Sequence, residues 1–168
     1  MMPAEITLRP VSESDLPFLF EIYASTREAE LALTPWTDEQ KQLFLNMQFQ
    51  GQINGYREMH PQAVHEIIAE AGRRVGRVYL SRLPDCHHIL DITIAPESRN
   101  AGIGSLVLRT ILEEADRAGK PVTIYVESFN PSLRLFQRLG FQIASQDSFQ
   151  LLLERTPVRL RIQEAGAL

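Results

Sequence analysis

Six residues in the second half of the chain, Arg99–Gly104, have the types and spacing of an anion-binding turn. An apolar run rich in β-branched residues, Ile89 to Ala95, comes before them and stops at Pro96. The residues after the turn repeat apolar side chains at helical spacing, at Ile103, Val107, Ile111 and Ala115. A strand, a glycine-bearing loop and a helix start therefore follow one another. This order directs unpaired backbone N–H groups and the positive end of a helix dipole at one point, which suits a phosphate and predicts a pyrophosphate site.

Two glycines distinguish this loop from other phosphate-binding loops. A Cβ at Gly102 or Gly104 would hold the ligand away from the backbone. A Walker loop needs a Lys followed by Ser or Thr after its last glycine, and Ser105 follows Gly104 directly. A dinucleotide-binding loop needs three glycines, whereas two follow Arg99 here. By itself, R-x-x-G-x-G leaves open a glycine-softened helix start that binds nothing.

A second motif follows, and with it the chain resembles a known family. Val122 to Val126 is predicted as a strand, and Asn130 to Phe141 reads N-x-x-x-x-x-F-x-x-x-G-F. In this helix Asn130 is the predicted N-cap, Pro131 fits the first turn, and Gly140 is a good C-cap. The R-x-x-G-x-G loop is similar to the acetyl-CoA pyrophosphate motif of the GNAT superfamily of N-acetyltransferases, and the second run is similar to the motif that follows it. The resemblance is specific from about Ile89 to Phe141 and schematic for roughly the first third of the chain.

The resemblance implies an enzyme that transfers an acetyl group from acetyl-CoA to a primary amine by direct attack in a ternary complex, without a metal. In the family, pantetheine lies in a gap between the strands that precede the two motifs, bonded to strand backbone. This places Ile92, Thr93 and Ile94 along the thioester and pantetheine arm, and Asn130 near the pantetheine end. The pyrophosphate would be surrounded by Arg99, Asn100, Ala101, Gly102, Ile103, Gly104 and Ser105. The acceptor would be a small-molecule or peptide amine.

Direct attack requires a neutral amine, so a group must accept its proton. The candidates are Asp91 and His88 on the strand before the phosphate loop, and Glu127 at the end of the neighbouring strand. A water relay to solvent is the alternative to all three. An exposed backbone N–H near Ile92 to Ile94 would stabilise the oxyanion. We predict no zinc at Cys86-His87-His88, because three adjacent residues do not converge easily on one ion.

Phe136 departs from the family pattern, since many members carry at its position a tyrosine that protonates the leaving thiolate. A phenyl ring donates no proton, and Tyr125 on the preceding predicted strand is a possible substitute. Phe136 itself should pack in the core. The departure keeps a second hypothesis open, a non-catalytic module that binds acyl-CoA in a degenerate GNAT site. An unrelated phosphate-binding α/β domain is a third, which the second motif disfavours.

The acceptor pocket of the family is shaped by its first two helices, which corresponds here to about Arg27 to Tyr56. The region offers carboxylates and aromatic faces that would suit a cationic amine, namely Glu28, Glu30, Trp36, Asp38, Glu39, Phe44 and Tyr56. The alternative interpretation is that the aromatic rings are core and the carboxylates line solvated helix faces.

Composition agrees with one domain, predicted over residues 1–155, with a loose tail over 156–168. The chain has 168 residues, 44% hydrophobic and 23% charged, which is ordinary for a globular protein. No apolar run reaches the roughly 18 residues of a membrane span, and no signal peptide is apparent. A single cysteine and a net charge of −4 favour a reducing cytoplasm and disfavour a nucleic-acid partner. We expect no membrane association and a monomer or homodimer.

The predicted order of elements is β-α-α-β-β-β-α-β-α-β-β. It indicates an α/β (mixed α+β) fold, a GNAT-like domain with a mostly antiparallel sheet of about seven strands and helices on both faces. Thr37 and Gln40 predict a capping box at the second helix, with an apolar face that includes Leu43, Phe44, Met47 and Phe49. Ala71-Gly72-Arg73 predicts a hairpin turn between the second and third strands.

Overall fold

The computed structural model describes residues 4–158. Within them the predicted order of strands and helices is confirmed. The strands are β1 Ile6–Pro10, β2 Val64–Glu70, β3 Arg73–Arg82, β4 His87–Ile94, β5 Val122–Glu127, β6 Gln142–Gln146 and β7 Gln150–Arg155. The helices are α1 Leu16–Ala32, α2 Asp38–Met59, α3 Ile103–Ala118 and α4 Leu133–Arg138, and single 3-10 turns lie at Glu13–Asp15 and Pro96–Ser98. The predicted tail lies outside the described residues from 159 onward.

The strands form one mostly antiparallel sheet in the order β1-β2-β3-β4-β5-β7-β6. The exception is the parallel pair of β4 and β5, whose register joins His87 to Val122 and Ile89 to Ile124. On its other edge β5 pairs antiparallel with β7 along its whole length. The fold class predicted from the sequence is therefore confirmed.

Contacts divide the chain into two compact units. The first unit holds the residues up to Tyr79 together with Asp91–Ile103. The second unit holds Leu80–Leu90 and the residues from Gly104 onward. Strands β3 and β4 each contribute residues to both units.

The core of the first unit is built by α1, α2 and the strand residues beside them. Its buried members are Leu19, Ile22, Tyr23, Leu31, Leu45, Phe49, Ile53, Ile67 and Ala95. The predicted apolar face of α2 is wrong at two of its positions, since Leu43 and Met47 are 64% and 68% exposed. Leu45, Phe49 and Ile53 follow an i, i+4, i+8 row and bury that stripe instead.

Local sequence signals determine where the elements of the first unit begin. Thr37 Oγ1 accepts a hydrogen bond from the Gln40 backbone N–H (3.2 Å), and the Thr37 N–H donates to Gln40 Oε1 (2.9 Å), so the predicted capping box is confirmed. Ala71 and Gly72 both have positive φ, 49° and 80°, as a two-residue type I′ hairpin requires. The predicted hairpin is confirmed, with Arg73 already in β3.

The core of the second unit combines α3 with the strands β5 and β7. Helix α3 buries residues at helical spacing and β7 buries alternate residues, whereas β5 buries four of its six residues. The buried residues are Val107, Leu108, Ile111, Leu112, Ala115, Val122, Ile124, Val126, Leu151 and Leu153. All four residues that defined the predicted face of α3, Ile103 included, are buried.

Candidate functional site

The predicted phosphate loop connects the 3-10 turn Pro96–Ser98 to the start of α3 at Ile103. Two residues within it are left-handed: Asn100 with φ 61° and Gly102 with φ 81°. Asn is among the few side chains that tolerate this region, and glycine adopts it without strain. The sharp path that results leads into a helix whose first four N–H groups have no partner within the helix. The local backbone therefore has the form of an anion-binding turn.

The side chains of this loop leave the backbone as its main binding surface. Asn100, Ala101 and Gly102 are exposed, Gly104 and Ser105 are half-buried, and Ile103 is buried. A Cβ added at Gly102 would meet no described protein atom within 4 Å, so the requirement for glycine there is its φ. The space beside Gly102, where a Cβ would lie, is therefore not occupied by any described atom of the protein. The loop accordingly fits a pyrophosphate group held by backbone N–H donors.

Arg99 holds the loop to the end of β4. Its Nε donates to the Ile94 carbonyl oxygen (3.0 Å), and its Nη2 lies 3.4 Å from Ser25 Oγ on α1. The guanidinium is exposed, so it can also face a solvent-borne anion. Its contacts give it a structural role in the loop beside the predicted binding role.

Of the predicted pantetheine-binding residues, Ile92 and Ile94 have peptide groups on the edge of β4 that faces away from β3. The Ala95 N–H donates to the Val75 carbonyl of β3 (2.8 Å), and peptide directions alternate along a strand. Thr93, two residues before Ala95, therefore directs its peptide toward β3, while Ile92 and Ile94 direct theirs to the opposite edge. The Thr93 side chain has another partner: its hydroxyl donates to Asp91 Oδ2 (2.9 Å).

Asp91 lies in a salt bridge with Arg77 of β3. The Arg77 Nε donates to Asp91 Oδ2 (2.6 Å), and Arg77 Nη2 donates to Gln52 Oε1 on α2 (2.7 Å). The Arg77 side chain is 2% exposed and the Asp91 side chain is 23% exposed. Asp91 is thus a fixed carboxylate that a ligand can still reach.

The other two proton-acceptor candidates belong to the second unit. His88 is buried, its Nδ1 lies 2.7 Å from Thr123 Oγ1, and its ring meets Tyr125 edge to face. Glu127 is half-buried at the end of β5, and its carbonyl accepts from the Asn130 N–H (3.0 Å). The first unit holds Asp91–Ile103 of the predicted site, and the second unit holds His88, Gly104, Ser105, Glu127 and Asn130.

The start of α4 corrects a prediction, because Ser132 and not Asn130 is its N-cap. The Asn130 side-chain oxygen accepts from the Ser132 N–H (2.8 Å), which makes a turn before the helix. Pro131 lies inside this turn and outside the helical residues. The local hydrogen bond of an Asn side chain here prevails over its capping tendency.

The end of α4 confirms the predicted roles of Gly140 and Phe136. Gly140 has φ 96°, its N–H donates to the Gln137 carbonyl (3.1 Å), and the Phe141 N–H donates to the Phe136 carbonyl (3.0 Å). These bonds are those of a Schellman motif, completed by an edge-to-face contact of the Phe136 and Phe141 rings at 5.4 Å. Phe136 is 3% exposed and therefore packs as an apolar core residue.

A polar cluster around Arg77 was not predicted from the sequence. His65 of β2 stacks on Tyr79 of β3 with ring centroids 4.3 Å apart, and Tyr56 of α2 meets Tyr79 edge to face at 5.2 Å. Burial lowers the pKa of His65 to about 4, and the nearby Arg77 charge acts in the same direction. Burial raises the pKa of Tyr56 to about 12, with a further contribution from the Asp91 charge. Near neutral pH both rings are uncharged.

The sequence does carry a signal for this cluster. Arg77 interrupts an otherwise apolar stretch of β3, and Asp91 interrupts the apolar run of β4. One charge inside the apolar stretch of each of two strands indicates a buried pair, because an unpaired buried charge is costly. Two atoms of the cluster, His65 Nε2 and Arg77 Nη1, are buried without a hydrogen-bond partner among the described residues.

A cavity of about 700 Å³ lies between α1 and α2 and overlaps the region predicted for the acceptor. Glu28 and Asp38 of the predicted set line it, together with Glu21 and Lys41. Ser25, which Arg99 contacts, is also in its wall. Trp36 and Phe44 pack on each other with centroids 5.1 Å apart. The carboxylates outnumber the cations in this wall.

Residues 4–158 contain no group of three or more His, Cys, Asp or Glu side chains arranged to hold a metal ion. None of the helices in this part of the chain is long and apolar enough to cross a membrane.

Comparison with known proteins gives the family. The sequence profile of the acetyltransferase (GNAT) family matches residues 16–141, and no curated protein matches the chain. The PaiA N-acetyltransferase of Thermoplasma acidophilum, solved with coenzyme A, is 16% identical with a TM-score of 0.68, over 90% of this chain and 99% of that one. The ribosomal-protein-S18-alanine N-acetyltransferase of Escherichia coli is 15% identical with a TM-score of 0.61, over 93% and 96%. An acetyltransferase of Thermus thermophilus is 18% identical with a TM-score of 0.64, over 92% and 99%.

At these identities the structural likeness shows the fold, while the profile covers three quarters of the sequence and includes the phosphate loop and the second motif. The chain belongs to the GNAT family of acetyltransferases.

Proposed function

We propose that this protein is an N-acetyltransferase that moves the acetyl group of acetyl-CoA to a primary amine by direct attack in a ternary complex. The observation that carries the proposal is the loop of residues 99–105. Its left-handed Asn100 and Gly102 lead directly into the N-terminus of α3, which suits a pyrophosphate. The solved relative from Thermoplasma acidophilum, whose structure holds coenzyme A, supports the same conclusion.

The backbone of β4 would hold the thioester of acetyl-CoA in position for attack. Acetyl-CoA supplies a thioester carbonyl, which is the electrophile. Ile92 and Ile94 would bind the pantetheine arm through their peptide groups, on the edge of β4 that faces away from β3. An N–H on this edge would stabilise the oxyanion as the amine attacks. Holding the two reactants together contributes much of the rate.

Asp91 is the proton acceptor that the geometry favours among the three candidates. It directly precedes Ile92, and its carboxylate is fixed by Arg77 and Thr93 while 23% of its side chain remains exposed. His88 is buried against Thr123, which limits its access to an amine. In the proposed reaction the amine nitrogen bonds to the acetyl carbon, the C–S bond breaks, and the amine proton passes to Asp91. The thiolate leaves and is protonated from solvent, because Phe136 cannot serve as an acid.

The acceptor is proposed to be an amine with a second cationic group, which would lie in the cavity between α1 and α2 while the attacking nitrogen reaches Asp91 on β4. Glu21, Glu28 and Asp38 in its wall would attract an ammonium group. The aromatic residues proposed for the same region, Trp36 and Phe44, pack on each other and would bound the site.

The test is mass spectrometry of reactions that contain acetyl-CoA and a panel of amines, with mono-, di- and polyamines, amino acids and peptide N-termini. Acetylation of any amine supports the proposal. Tight CoA binding with no turnover on any amine would favour the non-catalytic module, for which the buried Phe136 is the specific observation.

The proton acceptor is tested by Asp91→Asn, Glu127→Gln and His88→Gln, each assayed across pH with one amine. The rate should rise with pH and level off in the wild type, and Asp91→Asn should remove that inflection. Retention of the wild-type profile in all three variants would exclude direct base catalysis by these residues and leave a water relay.

A further inference from the structure

Arg77 is a buried cation whose position packing alone does not explain. The residue is 1% exposed in the middle of β3, where its neighbours Val75, Val78 and Tyr79 are apolar or aromatic. Two of its nitrogens have partners, Asp91 at 2.6 Å and Gln52 at 2.7 Å. The third, Nη1, is buried without one among the described residues. Burying such a pair commonly gives no more stability than well-packed apolar side chains would.

The contacts of Asp91 are one-sided. The Nε of Arg77 and the hydroxyl of Thr93 both donate to Oδ2, at 2.6 and 2.9 Å. Two donors on one oxygen fix the rotation of the carboxylate group, and neither of these two contacts occupies Oδ1. A side chain that is 23% exposed allows a partner for Oδ1 to come from outside the protein.

The guanidinium is itself oriented by α2. Gln52 Oε1 accepts from Arg77 Nη2, so a hydrogen-bonded series runs from α2 through β3 to β4. The ionisable groups that face the pair are His65 from β2 and Tyr56 from α2, both electrostatically coupled to it. Their pKa values of about 4 and about 12 leave both uncharged near neutral pH. Neither ring therefore adds a charge beside the salt bridge of Arg77 and Asp91 near neutral pH.

We propose that Arg77 is a positioning residue for catalysis: it holds Asp91 Oδ2 so that Oδ1 faces the acceptor amine. The inference rests on the proposed function, with Asp91 as proton acceptor. Thr93 shares the role through its hydroxyl, and Gln52 supports it by orienting the guanidinium. Such a device restricts a carboxylate to the productive geometry, which is a condition for efficient proton transfer.

A double-mutant cycle tests whether Arg77 acts through Asp91. Arg77→Gln, Asp91→Asn and the double variant are compared by kcat and by KM for acetyl-CoA and for the amine. Arg77→Gln should lower kcat by about 10- to 100-fold, which is no more than the low end of the roughly 10²- to 10⁴-fold that general base catalysis contributes, because Asp91 itself is still present. It should leave the KM for acetyl-CoA unchanged, and the double variant should be no slower than Asp91→Asn alone. In Arg77→Gln the pH inflection of the rate should move or disappear.

A matched control is Arg155→Gln, which removes the cation of another partly buried pair, Arg155 with Asp116 in the second unit. It should lower stability without changing kcat or the pH profile. Thr93→Val gives an independent cycle where the Arg77 variants do not fold. Thr93→Val removes one neutral donor to Oδ2 and should lower kcat several-fold. The same substitution should have no effect on kcat in the Asp91→Asn background. Thr93→Ser, which keeps the hydroxyl, should restore the rate.

Losses that multiply in either cycle, or an Arg77→Gln enzyme with wild-type kcat and pH profile, would overturn the inference while the proposed function stands. A wild-type protein that acetylates no amine in the panel would overturn the proposed function itself. The two failures are therefore distinguished by the wild-type assay.

Discussion

Gly102 and Gly72 form a matched pair that separates folding from cofactor binding. Their φ angles are +81° and +80°, and a Cβ added at either meets no described atom within 4 Å. Gly72 lies in the hairpin between β2 and β3, and Gly102 lies in the phosphate loop. An alanine in this left-handed region costs about 1–2 kcal/mol. We therefore expect Gly72→Ala to lower the free energy of unfolding by about this amount, and Gly102→Ala to lower it less, because the exposed phosphate loop can leave the left-handed conformation when no ligand is bound.

Only Gly102→Ala should weaken binding of CoA. A loop that leaves the left-handed conformation must be returned to it when the pyrophosphate binds, at the same cost of about 1–2 kcal/mol. Since about 1.4 kcal/mol is a factor of ten, the Kd for CoA should rise by about 5- to 30-fold. Gly72→Ala should leave the Kd unchanged. Asn100→Gly, at a position with φ 61°, should also retain wild-type affinity, because glycine adopts that conformation freely.

Urea denaturation gives the free energies of unfolding of Gly72→Ala and Gly102→Ala. Isothermal titration calorimetry with CoA gives the dissociation constants of these two variants and of Asn100→Gly, each compared with the wild type. The reasoning is refuted if Gly102→Ala binds CoA within twofold of the wild type while it is less destabilised than Gly72→Ala. The backbone conformation of the loop would then be irrelevant to the ligand.

Three further predictions concern single side chains. The folded-state pKa of His65, about 4, is below its unfolded value of about 6.5, so stability should be lost as the pH falls from 6.5 to 4. After allowance for partial exposure of the ring, this loss is roughly 2 kcal/mol. Urea denaturation at a series of pH values should show that the free energy of unfolding of His65→Gln falls less steeply with falling pH than that of the wild type. Equal slopes for the two proteins would contradict the prediction. Phe136→Leu should lower kcat less than threefold, since the ring packs on Phe141; a loss of about a hundredfold, the low end of acid–base catalysis, would show a catalytic role. Asp15 is fully buried, and its hydrogen bonds from Arg9 and Ser12 hold the pKa of its carboxyl far below the usual range. Asp15→Ala should therefore destabilise the protein by about 2 kcal/mol in the same assay, because it removes charge-assisted hydrogen bonds, and a change below about 1 kcal/mol would refute the importance of this network.

The sequence predicted the parts of this fold that depend on local chemistry. Thr37 and Gln40 form the predicted capping box because both partners lie within one helical turn. The order of strands and helices follows from periodicity and from glycine and proline positions in the same way. Gly140 ends helix α4 through two short-range hydrogen bonds. The Gly140 N–H donates to a carbonyl three residues earlier, and the Phe141 N–H donates to one five residues earlier.

Predictions failed where a local pattern had more than one solution. On α2, Leu43 and Met47 fit a helical stripe as well as Leu45 and Phe49 do, and the packing of α1 against one stripe decides between them. At α4, the Asn130 side chain bonds to Ser132 and so delays the helix by two residues. The choice between competing hydrogen bonds of similar strength is not visible in residue type alone.

The candidate site likewise has a part that local sequence predicts and a part that depends on residues distant in sequence. The phosphate loop is contiguous in sequence, so its left-handed residues and the start of α3 could be anticipated. Asp91 pairs with Arg77 of β3, 14 residues earlier, and Arg77 in turn donates to Gln52 of α2, a further 25 residues earlier. Such pairings are fixed by strand register and helix rotation, neither of which the composition of β4 contains.

Gly76 limits how β3 can change in evolution. A Cβ at this position would lie 2.4 Å from the Thr93 carbonyl oxygen, closer than any real contact. The obstacle is a backbone atom, which no substitution at Thr93 can remove. A mutation at Gly76 therefore has no compensating side-chain change across the strand, and it can be accommodated only if β4 itself moves. Drift at this one position of β3 would displace Thr93 and Ile94, the residues of β4 that it contacts, so the mutational tolerance of Gly76 is set by the reaction that the neighbouring strand positions.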